Sequence, residues 1–359
     1  MAVTTNSAAM PSAKPRASLF TLPPRLDAKR RDLIGRAVEL IPLAFFKRPP
    51  DTMIVDVTNA CNLRCPVCPV TVAMTRPRGL MPLERFKAVI DDLGRHGWKP
   101  AMFFNFSGEP TMNAALPEMV AYATANGHES FLSTNVTFLT PELSEALIRA
   151  GLGRVALCLD GFTKEAHESY RVRSDFERTK ANIVAFVEAK RRLGATKPVT
   201  VLQTLLTSLS EDHQAEIKAW AKGIGVDKVR FKSFSLGSHT DDETRGRWSW
   251  MVPKRLELRR HQEGSVRRLC NTPLHQSVVF WNGQLGLCCI DYDKMVSLPN
   301  VDERGYVAAY LSDEAARARR SGVAKRFAIC RQCSYSNAES MGFLVKMGAQ
   351  SVMGRAGRG

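Results

Sequence analysis

The chain has 359 residues, of which 44% are hydrophobic and 24% are charged, proportions that exclude a disordered or fibrous protein and are typical of a globular one. The formal net charge of +16 suggests anionic partners, such as a phosphorylated or carboxylated substrate. No apolar run approaches the roughly 18 residues of a membrane span. Nine cysteines without a secretory signal favour a reducing compartment. We therefore expect a cytoplasmic protein with no membrane span.

Composition and periodicity divide the chain into segments. Residues 1–28 are rich in Ala, Ser, Thr, Pro and basic residues, and we predict a disordered arm there. Residues 29–50 have the apolar spacing of a helix, which Pro49-Pro50 is expected to end. Between 51 and 240, apolar β-branched runs alternate with helical patterns. The expected strands are 52–57, 101–106, 129–134, 154–159, 199–205 and 228–232. Six β/α units predict an α/β fold with a parallel sheet, whose ligands bind beyond the carboxyl ends of the strands.

Three cysteines, Cys61, Cys65 and Cys68, follow the first expected strand. Three closely spaced thiolates can hold three corners of a cubane iron–sulfur cluster, and the fourth iron is then left without a protein ligand. An open coordination position marks a reactive metal site. A zinc knuckle and disulfides are the alternatives, but the spacing does not form C-x2-C pairs, no histidine lies nearby, and three is an odd number.

This C-x3-C-x2-C spacing after an extended strand resembles the radical S-adenosylmethionine (radical SAM) superfamily. The resemblance implies a partial (β/α)6 barrel over 51–240 whose open iron chelates the amino and carboxylate groups of SAM. Ser107-Gly108-Glu109-Pro110, after the second strand, resembles the Gly-Gly-Glu-Pro motif of the family, with Ser107 in place of the first Gly. It implies that Gly108 lets the backbone approach the ligand and that Glu109 accepts a hydrogen bond from the SAM ammonium.

Further cofactor-binding positions follow the third and fourth strands. Asn135, Asp160 and Arg171 each resemble a family position that contacts the ribose or the SAM carboxylate. Arg171 suits the carboxylate because a guanidinium fork matches carboxylate geometry. The alternative for Arg171 is pairing with a surface acid, such as Glu168 or Asp175.

The adenine contact is less clearly indicated. Val67, just before the third cysteine, stands where an aromatic residue is usual in the family. We therefore expect an aliphatic contact, or a contact from Phe104 or Phe106.

Four further cysteines, Cys270, Cys288, Cys330 and Cys333, lie beyond the β/α region. Four thiolates can close a cluster completely, and a four-cysteine zinc site is the alternative. Their arrangement around an expected Asn-Gly hairpin resembles the shortened SPASM domain called Twitch. The resemblance implies a small C-terminal α+β domain over 241–340 with one auxiliary 4Fe–4S cluster, followed by a tail at 341–359. The expected cofactors are therefore two 4Fe–4S clusters and SAM.

Two cysteines remain outside these groups. If Cys288 faces the cluster, an extended chain turns Cys289 to the opposite side, where its thiol could give a hydrogen atom to a substrate radical. Cys289 could also be inert or replace Cys288 as the ligand. Cys158, between two leucines of the fourth strand, is expected to be a small buried hydrophobe.

The reaction is indicated only by the resemblance. A 5′-deoxyadenosyl radical would abstract a substrate hydrogen, with an electron donor such as flavodoxin or ferredoxin. The single auxiliary site resembles that of an aminocyclitol alcohol dehydrogenase, which favours oxidation or epimerisation of a sugar, aminocyclitol or nucleotide. A peptide-modifying maturase, an RNA-modifying enzyme and a non-catalytic iron–sulfur or zinc scaffold are the alternatives. A nucleic-acid partner is not favoured, because the basic residues are spread out and no RNA-binding aromatic motif accompanies them.

Overall fold

A computed structural model describes residues 24–237, 239–259, 269–331 and 333. Within these residues, one sheet contains eight strands: β1 (Thr52–Val55), β2 (Ala101–Phe103), β3 (Ser130–Thr134), β4 (Arg154–Cys158), β5 (Val199–Leu206), β6 (Lys228–Ser233), β7 (Gln276–Val279) and β8 (Leu285–Gly286). Their order across the sheet is β6-β5-β4-β3-β2-β1-β7-β8, and neighbouring strands are parallel except for β7 and β8. The predicted tail and residues 1–23 of the predicted arm lie outside the described residues.

The helices of the described segments lie mostly between successive strands. They are α1 (Pro24–Glu39), α2 (Pro69–Val72), α3 (Leu83–Arg95), α4 (Leu116–Ala125), α5 (Pro141–Arg149), α6 (Lys164–Tyr170), α7 (Phe176–Arg192), α8 (Gln214–Ile224), α9 (Asp242–Trp248), α10 (Thr272–His275), α11 (Val301–Arg304), α12 (Tyr306–Leu311), α13 (Asp313–Val323) and α14 (Ala328–Arg331). Short 3-10 turns occur at Leu43–Phe46, Pro110–Met112, Ser249–Met251 and Leu256–Leu258. None of the helices in these segments is long and apolar enough to cross a membrane.

The predicted alternation of strands and helices between 51 and 240 is confirmed. Strands β1 to β6 lie in chain order, and the helices between them complete a partial (β/α)6 barrel. One face of the sheet packs on the helices, where Met53, Leu157 and Ile183 are fully buried. Each such side chain contributes about 1.5–3 kcal/mol through removal from water. Because side chains alternate along a strand, Cys158 lies on the opposite face from Leu157, towards the inside of the barrel.

The N-terminal helix differs from its predicted range. Helix α1 ends at Glu39, and a 3-10 turn at Leu43–Phe46 follows, so the chain leaves the helix before Pro42 rather than at Pro49-Pro50. Pro42 has no amide hydrogen, and its ring disfavours a helical conformation for the residue before it. The helix begins at Pro24, a residue that the first helical turn tolerates, so residues 24–28 of the predicted arm are helical.

The C-terminal hairpin extends the main sheet. The hairpin predicted around Gly283 is confirmed, with Val279 opposite Leu285 and a φ of +84° at the glycine. Its pairing with the barrel was not predicted: β7 runs parallel to β1, with Val278 beside Ile54. Without β7, the edge of β1 would present unpaired backbone groups. The segments predicted as core and as auxiliary domain therefore share one sheet.

Candidate functional site

A cavity of about 350 Å³ is formed by residues that follow the carboxyl ends of the strands. The first cysteine group lines it, together with all but one of the predicted SAM-binding residues. These lining residues are Cys61, Cys65, Cys68, Ser107, Gly108, Glu109, Asn135 and Arg171. Cys289, the predicted hydrogen donor, lines the same cavity. The structure thus brings the residues of five separate chain segments to one place.

The environment of the cysteine loop disfavours thiolates: Cys65 is buried, and Cys61 and Cys68 are half-buried. Burial raises the pKa of Cys61, Cys65 and Cys68, and that of Cys65 reaches about 12. The nearby Arg171 guanidinium lowers the pKa of each thiol but does not outweigh burial. Stable thiolates at this place therefore need further positive charge, which a bound metal cluster provides. The donor set, three thiols in one cavity, fits a cubane with one open iron.

Glu109 is held by hydrogen bonds from two elements. Its Oε1 accepts from the hydroxyls of Thr111 and Thr134, both at 2.6 Å, and from the Thr111 amide at 3.2 Å. Among the described residues its Oε2 accepts one bond, from the Asn135 amide at 2.7 Å. Oε2 can therefore take a further donor such as an ammonium group. The side-chain amide of Asn135 donates in turn to Asn62 Oδ1 in the cysteine loop, at 2.9 Å.

Gly108 allows two loops to touch. A Cβ at this position would lie 2.2 Å from the carbonyl oxygen of Thr58 and 2.5 Å from that of Ala60. Both obstacles are backbone atoms, so a larger residue would push the glutamate motif away from the cysteine loop. The amide of Glu109 donates to the Ala60 carbonyl at 2.8 Å, a contact that depends on this close approach.

Arg171 lies at the end of α6 and is oriented by Asp160. Arg171 Nε donates to Asp160 Oδ2 at 2.5 Å, while Asp160 Oδ1 accepts from the Leu205 amide at 2.7 Å. Asp160 is buried and does not line the cavity, so it lies behind Arg171 instead of beside the predicted ligand. Burial lowers the pKa of His167 to about 4, so its neutral ring accepts from the Asp160 amide. The surface acids Glu168 and Asp175 hold other groups.

Ser107 forms hydrogen bonds with both members of a buried ion pair, Asp56 and Arg76, which links the barrel to the C-terminal segment. Its hydroxyl donates to Asp56 Oδ1 at 3.2 Å and accepts from Arg76 Nη2 at 3.1 Å. Arg76 also donates to Asp56 and, through Nε, to the carbonyl of Tyr292 at 2.8 Å. The departure from the glycine usual at position 107 thus has a structural role here, because Ser107 ties the glutamate motif to the segment after Cys289.

The three candidates for the adenine contact are separated by burial. Val67 packs in an apolar cluster with Phe234, and Phe104 is fully buried in the main core. Neither of them lines the cavity, whereas Phe106 does. Phe106 is partly exposed and packs at 5.7 Å, ring centroid to ring centroid, on Phe280. Of the three, Phe106 is the aromatic ring available to a ligand.

Several cavity residues were not predicted. The Cys158 thiol lines the cavity and accepts from the Gln203 amide at 3.4 Å, so it is more than a buried hydrophobe. Gln203 sits directly beside it on β5, and a glutamine in that apolar strand was a signal in the sequence. His239 and Tyr292 also line the cavity, with ring centroids 5.5 Å apart. Burial lowers the pKa of His239, and its Nε2 donates to the Val67 carbonyl at 2.7 Å.

The second cysteine group lines a separate small cavity. Its lining includes all four predicted ligands, Cys270, Cys288, Cys330 and Cys333. The donor set of four thiols fits a closed 4Fe–4S cluster. In the described segments no group of three or more His, Cys, Asp or Glu side chains is arranged to hold a single metal ion. A 4Fe–4S cubane does not need its ligands to meet at one metal ion, because each of its cysteines binds a different iron.

Cys288 and Cys289 face different cavities. Cys288 is buried and lines the small cavity, whereas Cys289 is exposed and lines the large one. The Cys289 amide donates to Gln276 Oε1 at 3.0 Å, which fixes the backbone between the two thiols. The two thiols thus face different cavities as expected, but the reason differs from the predicted extended chain: β8 ends at Gly286, and a turn follows in which the Asp291 amide donates to the Cys288 carbonyl at 3.0 Å.

We expect Glu109→Gln to weaken SAM binding by about 1.5–3 kcal/mol, roughly 10- to 150-fold, by removing the charge that attracts the ammonium. Gln keeps an oxygen for the donors of Thr111 and Thr134 and loses only the bond from the Asn135 amide, whereas Ala would leave all of these donors without an acceptor. Burial raises the pKa of Glu109, so SAM affinity should also fall as the pH drops towards that pKa. Titration of the iron-loaded protein with SAM measures both effects.

The matched control is Glu211→Gln. Glu211 is also buried and accepts backbone N–H bonds, from Lys254 and Arg255, but it does not line the cavity. The Glu211→Gln variant should therefore bind SAM with unchanged affinity. An unchanged affinity in Glu109→Gln would remove Glu109 from the SAM site.

Comparison with known proteins agrees with this geometry. Residues 55–221 match the Radical SAM superfamily, and residues 270–334 match the SPASM iron–sulfur cluster-binding domain. The chain is 34% identical over 140 residues to Fe-coproporphyrin III synthase of Methanosarcina barkeri, which covers 38% of this chain and 34% of that protein. It is 30% identical over 215 residues to mycofactocin maturase MftC of Mycolicibacterium smegmatis, covering 57% of this chain and 52% of that protein.

The fold is similar to that of BtrN, solved in complex with AdoMet and 2-DOIA, with a TM-score of 0.51 and 16% identity over 82% of this chain and 96% of that one. The sequence matches reach only about a third to a half of the length of the curated relatives. A radical SAM domain binds SAM and a 4Fe–4S cluster, and a SPASM domain binds further iron–sulfur clusters. The chain therefore contains a radical SAM domain followed by a SPASM iron–sulfur cluster-binding domain.

Proposed function

We propose that the chain is an enzyme that uses radical SAM chemistry to oxidise or epimerise a small polar metabolite, such as a sugar, an aminocyclitol or a nucleotide. The observation that carries the proposal is the shared wall of the two cysteine-lined cavities. Ile290 lines both cavities, next to Cys289 of the large one and two residues after Cys288 of the small one. A redox cluster at the second site would therefore adjoin the cavity in which the substrate reacts.

The bound groups supply the radical and redox chemistry. When bound at the first site, a reduced 4Fe–4S cluster and SAM supply a 5′-deoxyadenosyl radical that removes a hydrogen atom from a substrate. When bound at the second site, a 4Fe–4S cluster supplies a one-electron acceptor. A flavodoxin or ferredoxin in the cytoplasm would provide the first electron.

The residues of the chain bind and orient the reactants. Glu109 Oε2 would hold the SAM ammonium, and Arg171, fixed by Asp160, would hold the SAM carboxylate. Phe106 would pack on the adenine. Cys289 and Tyr292, on the segment that joins the two cavities, would face the substrate. The buried pair of Arg76 and Asp56 would keep this segment against the glutamate motif.

The chemical class of the substrate is supported by the charge of the site. At its edge, Arg230 donates to Gln203 Oε1 at 2.6 Å, and Gln203 lines the cavity. Sheet register places Lys232 on the same face of β6 as Arg230. These cations and the net charge of +16 favour an anionic substrate.

A peptide substrate is the second candidate. Its support is the match to a mycofactocin maturase, which covers 57% of this chain, more than the coproporphyrin synthase match does. A peptide would have to present its reacting residue to the same cavity.

Turnover separates these candidates. We expect the anaerobically reconstituted protein, given SAM and dithionite, to form 5′-deoxyadenosine faster when it receives the peptide-free metabolite fraction of a cell extract. Faster turnover only with the peptide fraction would favour the maturase. Absence of 5′-deoxyadenosine from iron-replete protein would overturn the enzyme proposal and leave a non-catalytic scaffold.

A further inference from the structure

Lys325 is the one charged side chain among the described residues that line the small cavity. It lies with Cys270, Cys288, Cys330 and Cys333, and its residue surface is only 8% exposed. Its Nζ donates to the carbonyl oxygen of Cys333 at 2.9 Å. We propose that Lys325 is a positioning and tuning residue that raises the reduction potential of the cluster held by these four cysteines.

The backbone places Lys325 here at an energetic cost. Helix α13 ends at Val323, and Lys325 then adopts a φ of +54°, which is uncommon for a residue with a side chain. This left-handed residue directs the chain so that Lys325 is buried beside the cysteines, while Arg326 reaches Asp32 and Glu39 of α1. Burying an ammonium group is also unfavourable unless negative charge surrounds it. Both costs are offset if the cavity holds an anionic cluster.

The charges around the cavity show in which direction Lys325 acts. The thiols of Cys270, Cys288, Cys330 and Cys333 line one small cavity with Lys325, and four thiolates there would surround its ammonium group with negative charge. The nearby carboxylate of Asp291, by contrast, already accepts from the amides of Leu287 and Met295. Among the described lining residues, Lys325 is the cation that can balance the thiolates.

The same electrostatics apply to reduction of the cluster. A cluster with four thiolates is anionic, and one-electron reduction adds one negative charge. A buried cation stabilises the reduced form more than the oxidised form, and so raises the potential. This inference deepens the proposed function and rests on it for its purpose, since a higher potential suits an acceptor of an electron from a substrate radical.

The test compares Lys325→Met with Lys325→Arg in dithionite titrations of the reconstituted full chain, followed by electron paramagnetic resonance. Comparison with a Cys61/Cys65/Cys68→Ala variant assigns the signal of the second cluster. In Lys325→Met we expect the ratio of reduced to oxidised second cluster at a fixed potential to fall about tenfold, a shift of about 59 mV to more negative values. The first cluster should not change, and Lys325→Arg should titrate near wild type.

Lys294→Met is the matched control. Lys294 shares the left-handed backbone, with a φ of +59°, but it is exposed and does not line the small cavity. It should titrate as wild type. If Lys325→Met does not load iron, Lys325→Gln carries the test, because it keeps a hydrogen-bond donor without the charge.

An iron-replete neutral variant with the wild-type potential would overturn the proposal. Loss of the second cluster from both neutral variants, but not from Lys325→Arg, would also overturn it, because the role of Lys325 would then be structural. The titration contains no substrate. Its result is therefore independent of whether the proposed oxidation or epimerisation takes place.

Discussion

Replacement of Cys61, Cys65 and Cys68 together by alanine is expected to abolish formation of 5′-deoxyadenosine and to halve the iron content, from about eight to about four atoms per chain. The reason is that these thiols line the large cavity, whereas the other four ligands line a separate one. Iron and sulfide analysis after anaerobic reconstitution measures the content, and chromatography of the quenched reaction measures SAM cleavage.

Cys158→Ala is the control for removal of a thiol from this cavity. Cys158 lines it too, but its Sγ accepts from the amide of Gln203 and lies 3.6 Å from the hydroxyl of Ser133. This variant should retain about eight iron atoms. The assignment of the clusters would be wrong if the triple variant kept all its iron, or if zinc occupied the second site of the wild type.

Local patterns in the sequence predicted the elements that carry the site. The apolar run before Cys61 forms β1, and the run around Leu157 forms β4, because each strand depends mainly on its own residues and on burial. The cysteine loop then falls at the carboxyl edge of the sheet for a topological reason, since parallel strands end on the same side. No contact distant in sequence is needed for either inference.

Contacts that are distant in sequence account for what was missed. Pairing of β7 with β1 joins segments more than 200 residues apart, and no local pattern encodes it. The bond from Arg76 to Tyr292 and the position of Lys325 in one cavity with Cys270 have the same origin, because both depend on how separate segments of the chain dock. The sequence predicted that Asp160 follows the fourth strand. It did not predict that Asp160 lies behind Arg171, because that position depends on α6, which was not predicted.

The outcome for Cys289→Ala is expected to distinguish epimerisation from oxidation. If the enzyme is an epimerase, Cys289 returns a hydrogen atom to the substrate radical, and the variant should still form 5′-deoxyadenosine but lose the epimer by at least about a hundredfold, comparable to loss of a general acid. The thiol exchanges with solvent, so wild-type turnover in deuterated water should place one deuterium in the product. The thiyl radical left on Cys289 needs one electron and one proton, for which flavodoxin or ferredoxin and solvent are the proposed sources.

In an oxidase the same variant should still form the oxidised product, because the substrate radical loses an electron and a proton and needs no hydrogen atom from Cys289. The iron content of Cys289→Ala must equal that of wild type, since its neighbour Cys288 lines the small cavity. Cys158→Ala is again the control, because it removes the other non-ligand thiol of the large cavity, one that is buried where Cys289 is exposed. Normal epimer formation by iron-replete Cys289→Ala, together with its loss in Cys158→Ala, would transfer the donor role to Cys158. Normal epimer formation in both variants would exclude either thiol as the donor. Tyr292, whose ring lines the same cavity, would then be the next candidate for the hydrogen donor.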